Sequence, residues 1–275
     1  YLGEIKLPHT VKAFETNHDL KPYDIIIIAT PSGAFRQMVD YLKQQNLPSN
    51  IIIINSCKGV DAELLLNSRY LALKLPHNEQ IILSGPSFAK LMASNKYSQL
   101  DMAGDLKITQ KIAKLLSNQQ FKLNVCTDIV TPQIAGAVKN IIAIIGGVFA
   151  ASEIGANAKA ALFTGGLNEI MNIARQLGGH EDSYKLASVS GDLALTLYSQ
   201  HSRNNQFGFD MARAKDPRNF IKEYDYLVEG VVSLPIIYNF TLQTQQNTPI
   251  IHAAHNIIFS HADIKSEIDQ LLRQL

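Results

Sequence analysis

Two hydrophobic periods divide this chain. Residues 24–30 (DIIIIAT), 50–56 (NIIIINS), 80–85 (QIILSG) and 121–127 (FKLNVCT) are short, rich in β-branched residues and bounded by turn formers. Near-continuous apolarity in such short runs marks strands covered on both faces, as in a parallel sheet. Between them, helical spacing recurs over 34–45, 61–74, 86–95 and 106–117. Strand–helix alternation of this kind predicts a doubly wound α/β sheet. Beyond residue 128 the strand signals stop, and helical patterns run over 133–151, 156–177, 184–198, 210–223, 229–245 and 262–274. Breakers separate them at GG (178–179), RNN (203–205) and DPRN (216–219). The expected organisation is an α/β domain over 1–130, its parallel sheet incomplete at the N-terminus, and an all-α domain over 131–275.

Composition adds exclusions. Among 275 residues, 25 Lys and Arg balance 24 Asp and Glu, for a net charge of +1. Such a balance carries no basic footprint for nucleic acid. Cys57 and Cys126 are the only cysteines, so there is neither a disulfide framework nor a zinc-ligand cluster. A reducing cytoplasm is the expected location. The longest apolar runs, such as IIAIIGGVFAA, read as too short for a transmembrane segment.

Four stretches carry candidate chemistry. In GAVKNIIAIIGG (136–147) a lysine and an asparagine interrupt an apolar helix. At about 100° per residue, Ala135, Gly136, Ala143, Gly146, Gly147 and Ala150 share the side of Lys139, and Ile134, Val138, Ile141, Ile144, Ile145 and Val148 lie opposite. The lysine therefore projects from a strip of small residues that a backbone or a ligand can approach closely. An ammonium desolvated there has its pKa lowered toward the range useful for proton transfer; equally, Lys139 can snorkel to solvent at a domain junction. In GDLALT (191–196), Asp192 and Thr196 are four apart, hence on one helix face. The acid alone is explained as a helix N-terminal residue; the threonine is not. SRNNQFG (202–208) reads as a polar loop whose Ser202, Arg203 and Asn204 suit a phosphate or carboxylate. The loops NSCKG (55–59) and LSGPSFA (83–89) end predicted strands, where open α/β sheets bind ligands. Lys58 fits an anion contact there, whereas Gly85-Pro86-Ser87 reads equally well as a plain helix start.

Taken in order, KGVD, LSGPSFA, GAVKN, NAKAALFTGGLNEI, SGDLALT, SRNNQFG and VEGVVS resemble the signature of bacterial NAD(P)-dependent glycerol-3-phosphate dehydrogenase. The resemblance runs from YLGEIKLP to about NTPIIHAAHNIIF. It implies a Rossmann-type domain, a helical substrate domain, a homodimer, and hydride transfer between NAD or NADP and a phosphorylated triose in phospholipid synthesis. Dihydroxyacetone phosphate and sn-glycerol 3-phosphate would be interconverted. Carried onto this chain, it makes Lys139 the acid/base, with Asp192, Asn140 and Thr196 orienting the lysine and the substrate. Lys58, Gly85 and Ser87 would meet the substrate, and Ser202, Arg203 and Asn204 its phosphate. Lys58, Ala89, Arg203 and Glu229 would contact the cofactor. No metal is implied.

Some features depart from that pattern. Family members open with a strand, a GxGxxG-type turn and a helix that places the pyrophosphate on a helix N-terminus. No such fingerprint occurs here, and Tyr1 falls downstream of it. Without that segment the chain is not expected to hold a dinucleotide in the usual way, and a sheet edge is expected to stand open. Gly165 stands where the family commonly has arginine, Leu91 replaces an acidic residue, and NKYSQLDMAG lacks the usual Pro-Thr. The alternative reading is a non-catalytic fragment or paralogue that keeps phosphometabolite binding and dimerisation.

Overall fold

The computed structural model describes residues 5–15, 18–60, 66–199 and 201–275. Five strands form one sheet in sequential order: β1 (Ile25–Ile28), β2 (Ile52–Asn55), β3 (Gln80–Ser84), β4 (Ser98–Ala103) and β5 (Phe121–Cys126). β1, β2 and β3 pair in parallel, β4 runs antiparallel to β3, and β5 is parallel to β4. The sheet is therefore mixed where the sequence pattern predicted a parallel one. β4 itself had no strand signal, because SQLDMA places an aspartate in the middle of the run. An antiparallel neighbour needs no crossover helix, and the link from β3 to β4 holds only the short α3 (Ala89–Ala93) instead of a helix over 86–95.

Alternation along the strands explains the isoleucine quartets. Ile26, Ile28 and Ile53 pack with Phe35, Val39 and Leu42 of α1 (Phe35–Gln44) and with Tyr70 and Leu71 of α2 (Asn67–Lys74). Ile25, Ile52 and Ile54 face the other way, onto Ile112 and Ala113 of α4 (Leu106–Leu116). Successive side chains point to opposite faces, and both faces are covered, so every position is apolar. β1 is the exception: it pairs only with β2 among the described residues, and Ile27 is 52% exposed. The first part of the predicted helix 61–74 lies outside the described residues.

The helical half is built around α5 (Thr131–Ala151), whose residues 131–149 are all buried. It packs against α6 (Ala156–Gln176), α7 (Asp192–Tyr198), α8 (Arg203–Arg213), α10 (Glu229–Gln243) and α11 (Pro249–Ile258). α9 (Pro217–Glu223) and α12 (Ile264–Leu272) complete it. By length and hydropathy α5 could cross a membrane, but 89% of the qualifying window is inside the protein; it is a core helix. It exceeds the apolar runs read from sequence because Lys139 and Asn140 interrupt the pattern without interrupting the helix.

Asp128 starts α5. Its carboxylate accepts from the backbone N–H of Val130 and Thr131 (2.9 and 3.0 Å), and from the Thr131 hydroxyl, the His180 N–H and the Ser183 hydroxyl (2.5, 2.8 and 2.5 Å). Two predicted helices differ in form, and two stretches not predicted as helices are helical. The 184–198 stretch divides into a 3-10 turn (Glu181–Lys185), a π turn (Ala187–Gly191) and α7. The 210–223 stretch divides at Asp216, which caps α9 ahead of Pro217. SRNNQFG is not a loop: Ser202 caps α8, accepting from Asn205 N–H at 3.2 Å, and the helix begins at Arg203. α11 had no prediction; Pro249 opens it, and Glu169 of α6 receives the N–H groups of Ile250 and Ile251.

Candidate active site

The strip of small residues on α5 does two jobs. Gly146 and Gly147 admit the protein's own elements: a Cβ on Gly147 would lie 1.9 Å from the Asn205 carbonyl oxygen of α8. Nearer the N-terminus, Gly136 sits under the stem of Lys58, 3.5 Å from where its Cβ would be. Lys139 lies between these contacts and does not reach solvent; it is 5% exposed.

Lys139 Nζ donates to Asp192 Oδ1 (2.6 Å) and to Thr196 Oγ1 (2.9 Å). Lys58 Nζ donates to the other oxygen of Asp192 (2.8 Å) and to the Gly85 carbonyl (3.4 Å). One buried carboxylate thus bridges two ammonium groups contributed by opposite halves of the molecule. Thr196 donates its own hydroxyl proton to the Asp192 carbonyl (2.6 Å), which turns its lone pairs toward Lys139. Burial and the neighbouring Lys58 charge push the Lys139 pKa down to about 7, with Asp192 opposing. Burial alone would raise the carboxyl of Asp192, but the two ammonium groups outweigh it and hold the group below the usual carboxylate range.

Beside this cluster opens a cleft of about 310 Å³. Ala29, Thr30 and Ser32 line it from the end of β1, and Ser56, Cys57 and Lys58 from the end of β2. Asn140, Arg203, Asn204 and Glu229 face them from the helical half. Ser32 Oγ donates to Glu229 Oε2 across it at 2.5 Å. Gly59 (φ +124°) keeps that corner clear, since a Cβ there would lie 2.8 Å from Ser32 Cβ. Burial raises the Cys57 thiol, and it pushes Cys126 up to about 12 with help from Asp101 and Asp128. Neither is a thiolate nucleophile. Among the described residues no His, Cys, Asp or Glu group could hold a metal ion.

Lys58, Gly85, Lys139, Asp192 and Thr196 therefore form one connected cluster, with Asn140, Arg203, Asn204 and Glu229 around the adjoining cleft. Asn204 is occupied twice: its amide donates to Asn140 Oδ1 (3.0 Å) and its oxygen accepts from Gly230 N–H (2.9 Å). It links α5 and α8 to the first turn of α10. Ser202 is buried and its hydroxyl caps α8. Ser87 shares the Gly85 carbonyl with Lys58 (3.1 Å), and Ala89 begins α3, exposed and outside the cleft lining. Sequence reasoning missed Ser32, although TPSGAF follows a predicted strand and the strand-end rule applies to it. It also missed Asn205, whose amide donates to the carbonyls of Ala143 (3.3 Å) and Leu197 (3.0 Å) and which has no signal apart from these tertiary partners, and Asp128, whose place just ahead of Thr131 and Pro132 is a local helix-start signal.

Comparison with known proteins covers both halves. The family model described as NAD-dependent glycerol-3-phosphate dehydrogenase N-terminus matches residues 1–111, and the corresponding C-terminus model matches 128–269. A Rickettsia typhi protein named glycerol-3-phosphate dehydrogenase [NAD(P)+] is 38% identical over 264 residues, 94% of this chain and 82% of its own. A Rickettsia bellii protein of the same name is 36% identical over 262 residues, 94% of this chain and 83% of its own. Among solved structures, glycerol-3-phosphate dehydrogenase from Coxiella burnetii superposes with a TM-score of 0.90 at 26% identity, covering 99% of this chain and 84% of the other.

Proposed function

Since the chain belongs to the NAD-dependent glycerol-3-phosphate dehydrogenase family, we propose that it interconverts dihydroxyacetone phosphate and sn-glycerol 3-phosphate, with Lys139 as the acid/base. It is an enzyme that uses NAD or NADP. The cleft fits the reactive end of such a cofactor: it opens at the carboxyl ends of parallel strands, where open α/β sheets take ligands, and it adjoins the lysine pair. Lys58, Arg203 and Glu229 would hold the cofactor there, with Ser32 fixing Glu229. When bound, the nicotinamide supplies or accepts the hydride at the substrate carbon.

The chain's own groups manage the charge and the proton. As the substrate carbonyl oxygen becomes negative, Lys139 stabilises it and gives up a proton. With its pKa lowered to about 7, neutral Lys139 can equally take a hydroxyl proton in the reverse direction. Asp192 holds both ammonium groups, and Lys58 adds a second positive charge that keeps Lys139 acidic. Arg203 is the first residue of α8 and lines the cleft, so its charge adds to the positive end of that helix, an arrangement that favours a phosphate. Asn140 and Asn204 hold each other and the α10 turn in place. Homodimerisation, a cytoplasmic location and a role in phospholipid synthesis belong to the same reading; light scattering tests the first.

The bridged Lys139–Asp192–Lys58 cluster beside the cleft carries this proposal. Following NADH absorbance with dihydroxyacetone phosphate tests it. Lys139→Ala is expected to lower kcat by roughly 10²–10⁴-fold, and a near-normal rate would remove the assignment.

A further inference from the structure

Asp192 must reach Lys139 and Lys58 at once, and its place is set by what precedes it. The residues Ala187–Gly191 wind as one π turn that runs directly into α7. Such a turn inserts an extra residue and changes the facing of everything that follows, which is why these turns collect at functional sites. The start of this turn is tied to the sheet. Ser188 N–H donates to Asp101 Oδ2 at 2.6 Å, and the other oxygen of Asp101 accepts from Asn124 Nδ2 at 2.9 Å. Asp101 is 1% exposed, in the middle of β4, with Asn124 opposite it on β5. Its neighbours Leu100 and Met102 already supply apolar packing. A buried carboxylate in a strand costs stability unless its partners are satisfied, and here its partners are Asn124 and the first turn of the segment that carries Asp192.

We propose that Asp101 is a positioning residue for the reaction: by holding Ser188 it fixes the π turn, and through that turn the Asp192 carboxylate between Lys139 and Lys58. The proposal rests on the acid/base reading of Lys139 and Asp192. Lys58 and Gly85 sit at the ends of β2 and β3, in the same sheet as Asp101. Sheet-borne Asp101 thus ties Asp192 to the frame that carries Lys58.

The test is steady-state kinetics on Asp101→Val and Asp101→Asn, with Lys139→Ala in parallel. Valine suits a strand but leaves Ser188 N–H without an acceptor. Asparagine preserves the tie: its oxygen accepts from Ser188, and its amide donates to Asn124 once that amide turns over. Asp101→Val is expected to lower kcat on the order of ten- to a hundredfold, as for a misplaced catalytic group. Its KM for NADH is expected to stay within about twofold, and Asp101→Asn to recover most of the loss. If Asp101→Val does not fold, Asp101→Ser, too short to reach Ser188, gives the same contrast with asparagine. Normal kcat in the folded Val or Ser variant, or equal losses in the Asn and Val variants, overturns the positioning role. Near-normal turnover in Lys139→Ala instead removes the underlying acid/base reading, whereas a crippled Lys139→Ala beside an unaffected Asp101→Val removes only the positioning role.

Discussion

Lys139 is surrounded by opposing influences, and their balance sets its proton affinity. Burial and Lys58 lower it, and Asp192 raises it. In the reductive direction the lysine must be protonated, so kcat is expected to fall as pH rises through its pKa. Lys58→Met removes a charge that holds the value down, so that alkaline limb should move to higher pH by on the order of one unit. A limb that stays in place would mean that burial and Asp192 set the pKa without Lys58. Lys139 and the i, i+4 pair Asp192 and Thr196 were legible in the sequence because helical geometry puts residues on one face without reference to the rest of the fold. That Asn204 is held by Asn140 and Gly230 was not legible, because those partners depend on how α8 meets its neighbours. The Ser202 cap is local, three residues from Asn205, and follows from the serine's preference for helix starts.

Two helix-level features have clear energetic signs. Asp128 accepts five hydrogen bonds, and although burial pushes its pKa up, those donors outweigh it and hold the carboxyl below its ordinary value. An acid with a depressed folded-state pKa stabilises the fold fully above its unfolded pKa of about 4 and loses that contribution as pH falls through the folded value. Asp128→Ala is expected to cost about 2–4 kcal/mol at neutral pH, from the cap and the charged hydrogen bonds together. Urea denaturation at pH 7 and below pH 4 should show the gap to the parent narrowing in acid, and a constant gap would contradict the linkage. Gly147→Ala distinguishes propensity from packing. Helix propensity alone favours alanine by about 1 kcal/mol. The Asn205 carbonyl 1.9 Å from the new Cβ forces α5 and α8 apart, so a net loss of at least about 2 kcal/mol is expected. A more stable variant would show that α8 can yield.

Across the whole molecule, polar ties between the halves meet at the site, among them Ser32 to Glu229 and Lys58 to Asp192. Ser32→Ala removes the first, and because hydrogen bonds to charged groups are worth about 1.5–3 kcal/mol, the KM for the nicotinamide cofactor should rise on the order of tenfold. An unchanged KM would place the tie outside cofactor binding. The sequence by itself determined the two-part architecture and the orientation of α5. Isoleucine quartets mark strands covered on both faces, a pattern that Ile27 of β1 breaks, and the glycines and alanines around Lys139 mark a close approach on that side. It did not reveal β4, whose run SQLDMA carries Ser98, Gln99 and the buried Asp101, nor the π turn that aims Asp192. Nor did it distinguish Lys139 as a bridged, buried ammonium from a lysine that snorkels to water. The bridge at Lys139 and the tie that holds the π turn depend on hydrogen bonds between residues 53 to 134 positions apart. Local periodicity cannot encode such partners, so they exist only once the helical half closes on the strand ends.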